Sequence, residues 1–241
     1  MRETPSDATV PYEPHIGQSR QYWRDIILGV NDGLVSTLLL VAGVVGGGLS
    51  SAIILLTVLA GAVAGAISMA AGEYLATESQ REILDAELRL EREHIRDHRE
   101  MEVGQLAEMF TDIGVSPEKL DVVVEAFSET DDVLLNSMKV LEFGVVDSEV
   151  RSSYKAMFFS GALFLVGSLT SVVPFLFDVS PVRGLAIASV LTAVGLFIVG
   201  WVKASVTRRN RVADGFANLL IAGFGGVLAY FIGDAVQRLI G

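Results

Sequence analysis

Apolar residues along this chain gather into five blocks separated by polar punctuation. The blocks lie at about 25–47, 52–77, 156–177, 183–203 and 213–237. Each is close to or above the roughly 20 residues a helix needs to cross a bilayer core. The first two are joined only by GGLSS, which permits nothing but a tight helical hairpin. The third ends near Pro174 and the turn DVSPVR, where Pro181 suits the first turn of the next helix. Between the second and third blocks lies a polar segment, 78–154, far too charged to enter lipid. The pattern predicts an all-α polytopic membrane protein with five transmembrane helices and one helical subdomain outside the membrane.

The domain layout follows. Residues 1–22, with Pro5, Pro11 and Pro14 and no apolar run, form a disordered polar tail that is neither signal nor transit peptide. Residues 23–77 hold transmembrane helices 1 and 2, 78–154 the acidic subdomain, and 155–241 transmembrane helices 3 to 5. Basic residues set the orientation. With the N-terminus and the 78–154 segment cytoplasmic, every Lys and Arg except Arg183 and Arg238 falls on the cytoplasmic side. The C-terminus is then on the far side. The short tail points to a prokaryotic cell membrane rather than a vacuolar one.

Composition agrees with the pattern. Of 241 residues, 51% are hydrophobic, and mean hydropathy is +0.50. The net charge of −11 is concentrated in 78–154, with 20 Asp/Glu against eight Lys/Arg. Nothing here fits a nucleic-acid partner. The absence of cysteine removes disulfides and thiolate metal sites. Two GxxxG pairs, Gly43/Gly47 and Gly61/Gly65, let helix backbones approach closely, either within one subunit or at a dimer seam.

Carboxylates inside the first two blocks change the picture. Asp25 and Asp32 are two helical turns apart and share a stripe, with Asp32 about 10 Å deeper. A lone carboxylate at depth costs at least ~2.5 kcal/mol, so it faces a cavity or bonds a neighbouring helix. The neighbouring Asn31 and Gly33 raise a local helix break as one reading. On the second block Met69 and Glu73 sit four apart on one face. Oxygen ligands with a thioether suit Fe²⁺ or another first-row divalent ion better than Mg²⁺ or Ca²⁺. Carboxylates that take up protons when metal leaves offer a basis for metal–proton exchange.

The acidic segment predicts a continuation of the second helix, since no Gly or Pro occurs from Glu78 to His98. Further helices are predicted over 118–127 and 131–143. Their buried faces would be Leu106, Met109 and Phe110 against Val123, Phe127, Leu134 and Leu135. If the first helix is continuous, Glu87, Glu91, His94, His98 and Glu102 form one stripe, and Glu91-x-x-His94 has the spacing of carboxylate metal sites. The competing reading is a solvated acidic face paired to Arg92, Arg96 and Arg99. Met138 and Glu142 repeat the Met/Glu spacing of Met69 and Glu73.

Together these pieces resemble the vacuolar iron transporter family over about residues 20–240. The resemblance rests on 29-GVNDGLVST-37, 64-AGAISMAAGEYLATES-79, the acidic insert and 223-GFGGVLAYFIG-233. It implies a homodimer of five-span subunits with a path between them, and proton-coupled export of Fe²⁺ from the cytoplasm. Mn²⁺, Zn²⁺ and Co²⁺ are further candidate substrates, and no cofactor is tightly bound. The family's intramembrane ligands fall on Asp25, Asp32 and Met69, and its cytoplasmic ligands on Glu91, Glu102, Met138 and Glu142. Plant-type members have a glutamate where this chain has Gly61; Glu73 is the expected replacement. Two other family glutamates fall on His94 and Gln105. The alternatives are a membrane-anchored di-iron ferroxidase built on Glu91-x-x-His94, and a metal sensor or buffer.

Overall fold

The computed structural model describes residues 20–145, 152–207 and 211–240, and every regular element among them is helical. In chain order these are α1 (Arg20–Gly46), α2 (Ser51–Asp112), α3 (Pro117–Phe127), α4 (Asp131–Leu141), α5 (Ser153–Val172), α6 (Pro181–Thr207) and α7 (Arg211–Ile240). A 3₁₀ turn, Val173–Leu176, ends α5 where Pro174 would otherwise break it. Five helices are long and apolar enough to span a membrane, namely α1, the first part of α2, α5 with its 3₁₀ turn, α6 and α7. Most of the tail expected over 1–22 lies outside the described residues, and α1 already runs from Arg20.

In a bilayer, apolar helices gain nothing from avoiding lipid, so their association depends on close fit. α5 supplies that fit by packing along both α1 and α2. At the α1–α5 crossing a Cβ on Gly33 would lie 2.1 Å from the Phe164 carbonyl oxygen. A Cβ on Gly167 would lie 2.3 Å from that of Val30. Gly33 therefore serves a backbone contact, and α1 runs unbroken through Asn31–Gly33, which removes the helix-break reading. The Gly43/Gly47 pair packs within the subunit, against Gly233 of α7. Gly61 and Gly65 face Leu40 and Phe164 of the same chain.

α2 continues out of the apolar zone as expected, and its exit is tied to the start of α5. Ser153 donates to Glu78 at 2.7 Å, and the rings of Tyr74 and Tyr154 lie 5.4 Å apart. Beyond this point α2, α3 and α4 form the subdomain. Leu88, Ile95, Leu106, Phe110, Leu134, Leu135 and Met138 are its buried core. Met109 and Val123 are partly buried beside it. Phe127, expected inside, is instead 47% exposed, though its ring still leans on Phe110 with centroids 5.2 Å apart. Being the last residue of α3, it covers the core edge rather than filling it.

α2 is not one straight rod. His98 has non-helical dihedrals, φ −138° and ψ 34°, and the helix kinks there. The second part ends at Asp112, and Gly114 just beyond it has a φ of +97°, which suits a residue without Cβ. Ser116 and Pro117 then open α3, and the Thr130 side chain caps α4 by accepting from Val133 N–H.

Candidate metal-binding site

The kink decides what the acidic helix can do. On a straight helix Glu91 and Glu102 would be separated by about 16 Å along the axis, beyond the reach of two glutamates. Bent at His98, α2 brings one ligand atom from each of Glu91, His94 and Glu102 within 4.8 Å of one another. The single stripe expected from the sequence is thus replaced by a pocket formed across a bend. His98, at the bend, is exposed, and so is Glu87.

Charges in this pocket are poorly compensated. Glu91 and Glu102 are buried, and one oxygen of each, Glu91 Oε1 and Glu102 Oε2, has no hydrogen-bond partner. His94 Nδ1 lies 3.4 Å from Glu102 Oε1. Burial first, then the neighbouring Glu102 and Glu142, push the Glu91 carboxyl up to about 7. Glu142, at the C-cap of α4, is raised by burial and by Glu102, against a hydrogen bond with Gln105. Met138 lies one turn before Glu142 and is fully buried in the apolar core.

The arginines that a solvated acidic face would use are engaged elsewhere. Arg92 donates to the Leu88 carbonyl and Arg96 pairs with Asp97. Arg99 reaches Asp131 at 3.0 Å and the Ser128 carbonyl. A buried carboxylate set with orphaned oxygens and an imidazole could hold a divalent cation.

Inside the membrane zone the polar groups fall into two tiers. The deeper tier lines a cavity of about 540 Å³ formed by Asp32, Ser36, Thr37 and Leu40 of α1, Gly61, Gly65, Ser68 and Met69 of α2, and Phe164 of α5. Ser36 donates to Asp32 at 2.6 Å, so the carboxylate is oriented by a hydroxyl and still faces the cavity. Asp32, Met69 and two serine hydroxyls therefore offer hard oxygens and one soft sulfur to the same space.

The upper tier lies two helical turns earlier on α1. Asp25 is buried, and Arg24 Nη2 stands 3.3 Å from its Oδ1 and 3.2 Å from Glu73 Oε1. Glu73 does not line the deeper cavity; it belongs with Asp25. Sequence reasoning singled out Asp25, Asp32, Met69 and Glu73, and the structure sets Arg24, Ser36 and Ser68 beside them. The helical spacing Asp32-x-x-x-Ser36 was the available signal for one of these.

Residues 23–234 match the VIT family. The chain is 31% identical over 216 residues to "Vacuolar iron transporter 2" of Oryza sativa subsp. japonica, an overlap of 90% of this chain and 88% of that one. It is 32% identical over 214 residues to "Vacuolar iron transporter 1" of Eucalyptus grandis, covering 89% and 86%. With "Vacuolar iron transporter" of Toxoplasma gondii it shares 26% identity over 238 residues, covering 95% and 79%.

Proposed function

The chain belongs to the VIT family, and on that premise we propose that it is a proton-coupled antiporter that moves Fe²⁺ out of the cytoplasm. Its five apolar helices and its transporter relatives make it an integral membrane protein that moves metal ions, not an enzyme. Mn²⁺ is a second cargo in this reading. Glu91, His94 and Glu102, with Glu142, capture the ion, and it passes by Asp25 and Glu73 to Asp32 and Met69. Carboxylates that lose a ligated cation bind protons, which gives the return flux a carrier.

The observation that carries this reading is the intramembrane cavity in which Asp32 and Met69 meet. It also favours a homodimer. Ser36 and Ser68 are exposed on the single chain, and hydroxyls beside a carboxylate are costly against lipid. A second copy covering that face would complete the conduit between subunits. The distribution of Lys and Arg supports a cytoplasmic N-terminus and subdomain.

Proteoliposomes with an imposed pH gradient test it. Fe²⁺ uptake should depend on the gradient and be lost in Asp32→Ala. Uptake at the wild-type rate in that variant, or indifference to the gradient, would reject the path or the coupling respectively.

A further inference from the structure

One basic side chain stands at the mouth of the proposed path. Arg24 Nη2 bridges Asp25 Oδ1 at 3.3 Å and Glu73 Oε1 at 3.2 Å, and Arg24 Nε lies 3.4 Å from the same Asp25 oxygen. The two carboxylates come from different helices, α1 and α2, and are 4% and 11% exposed. The arginine is 59% exposed. The Arg24 guanidinium thus bridges two sheltered anions at the level above the Asp32 cavity, while more than half of its side chain stays exposed.

We infer that Arg24 is a displaceable counter-cation, which occupies the carboxylate pair of Asp25 and Glu73 when no metal is there and yields it to an arriving divalent ion. Two nearby carboxylates sheltered from water repel one another unless a cation sits between them. A guanidinium fits because its fork can meet both at once and it keeps its charge at every working pH. A divalent ion brings twice the charge into the same gap and can displace it. Being long and mostly exposed, the arginine can then swing to water without unfolding either helix. When the metal moves on to Asp32 and Met69, Arg24 returns, restores the charge balance and opposes backflow. Ion affinity at the mouth is thereby held down, which favours release over retention.

This inference rests on the transport reading of the same site, and the experiment separates the two. Fe²⁺ uptake into proteoliposomes is measured against Fe²⁺ concentration for the wild type, Arg24→Gln, Arg24→Lys and Asp32→Ala. Arg24→Gln should lower the KM about tenfold and lower the maximal rate, because the ion no longer competes with the guanidinium for these carboxylates and leaves them slowly. Arg24→Lys keeps the charge that protects the fold but loses the fork. It should shift the KM the same way by about threefold, with a nearly normal maximal rate. A residue that merely braced α1 against α2 would lower the rate and leave the KM alone. Unchanged or raised KM values in both variants, with Asp32→Ala inactive, overturn the counter-cation and leave the transporter standing. Wild-type uptake in Asp32→Ala overturns the path itself, and with it the role of Arg24.

Discussion

Glu91 and Glu102, eleven residues apart on one helix, present their carboxylates to each other across the bend at His98. Each has an oxygen without a hydrogen-bond partner. Such a pair is unfavourable without a cation, so removing one charge has opposite effects on folding and on binding. Glu91→Gln should raise the stability of the metal-free protein at pH 8 by about 1–3 kcal/mol, the scale of its displaced titration. The same change should weaken binding of Mn²⁺ or Fe²⁺ by about tenfold or more, since a charge-assisted contact contributes about 1.5–3 kcal/mol. Thermal unfolding under chelator and equilibrium metal binding check the two halves. A variant that loses stability would mean the carboxylate is braced rather than strained.

The Glu91 titration fixes a pH dependence. Its folded value of about 7 lies above that of an unfolded glutamate, so the contribution to metal-free stability is fully present below about 4.5. That contribution is lost as pH rises through 7. Metal binding runs the other way, because the proton must leave first. Affinity should fall by about tenfold per pH unit on the acid side of 7 and level off above it. Metal titrations of the full chain in detergent from pH 5.5 to 8 measure it. Affinity flat across that interval would remove Glu91 from the ligand set.

Gly33 provides a test of the bundle that involves no metal. A methyl group there meets the Phe164 carbonyl oxygen at 2.1 Å, and a backbone oxygen has no rotamer by which to retreat. Gly33→Ala should destabilise the bundle by about 1–3 kcal/mol, the usual range for overpacking. Gly72 of the same membrane hairpin has nothing within 4 Å of an added Cβ. Gly72→Ala should leave the stability unchanged or raise it by up to about 1 kcal/mol of helix propensity. Equal losses in both variants, measured by thermal unfolding in one detergent, would place the α1–α5 crossing elsewhere.

The spans, their order and the polar extension of α2 were legible because each depends on composition over many residues. The meeting of Asp32 with Met69 was legible too, since a short hairpin must bring the first two spans together. What could not be read depends on single tertiary contacts. His98 is neither Gly nor Pro, so no local preference announces the kink that converts a stripe into a pocket. Arg24 precedes Asp25 in sequence and looks like an interfacial neighbour; its partner Glu73 lies on another helix. Glu73 was expected to replace the carboxylate missing at Gly61, but Gly61 lines the Asp32 cavity while Glu73, one turn of α2 beyond Met69, meets Arg24 beside Asp25. Phe127 followed the apolar pattern of α3, yet the helix ends there and leaves the ring half outside.

Met69 allows a prediction about selectivity rather than rate. It faces the cavity beside Asp32, Ser36 and Ser68, three oxygen donors that do not distinguish strongly among first-row divalent ions. Sulfur does, because a thioether interacts more favourably with softer ions than with harder ones. Met69→Leu keeps nearly the same volume and should cost under about 1.5 kcal/mol in packing, so the fold and the conduit persist. The variant should therefore still transport, with Mn²⁺ gaining on Fe²⁺ and Co²⁺ by about tenfold, which corresponds to roughly 1.4 kcal/mol for one lost soft contact. Competition uptake of paired ions in a single proteoliposome preparation reads the ratio directly and cancels differences in protein yield. An unchanged ratio would make Met69 a packing residue and leave Asp32 with the serine hydroxyls as the whole ligand set. Loss of all transport would instead make the sulfur essential to the path, since a side chain of nearly the same volume removes little else.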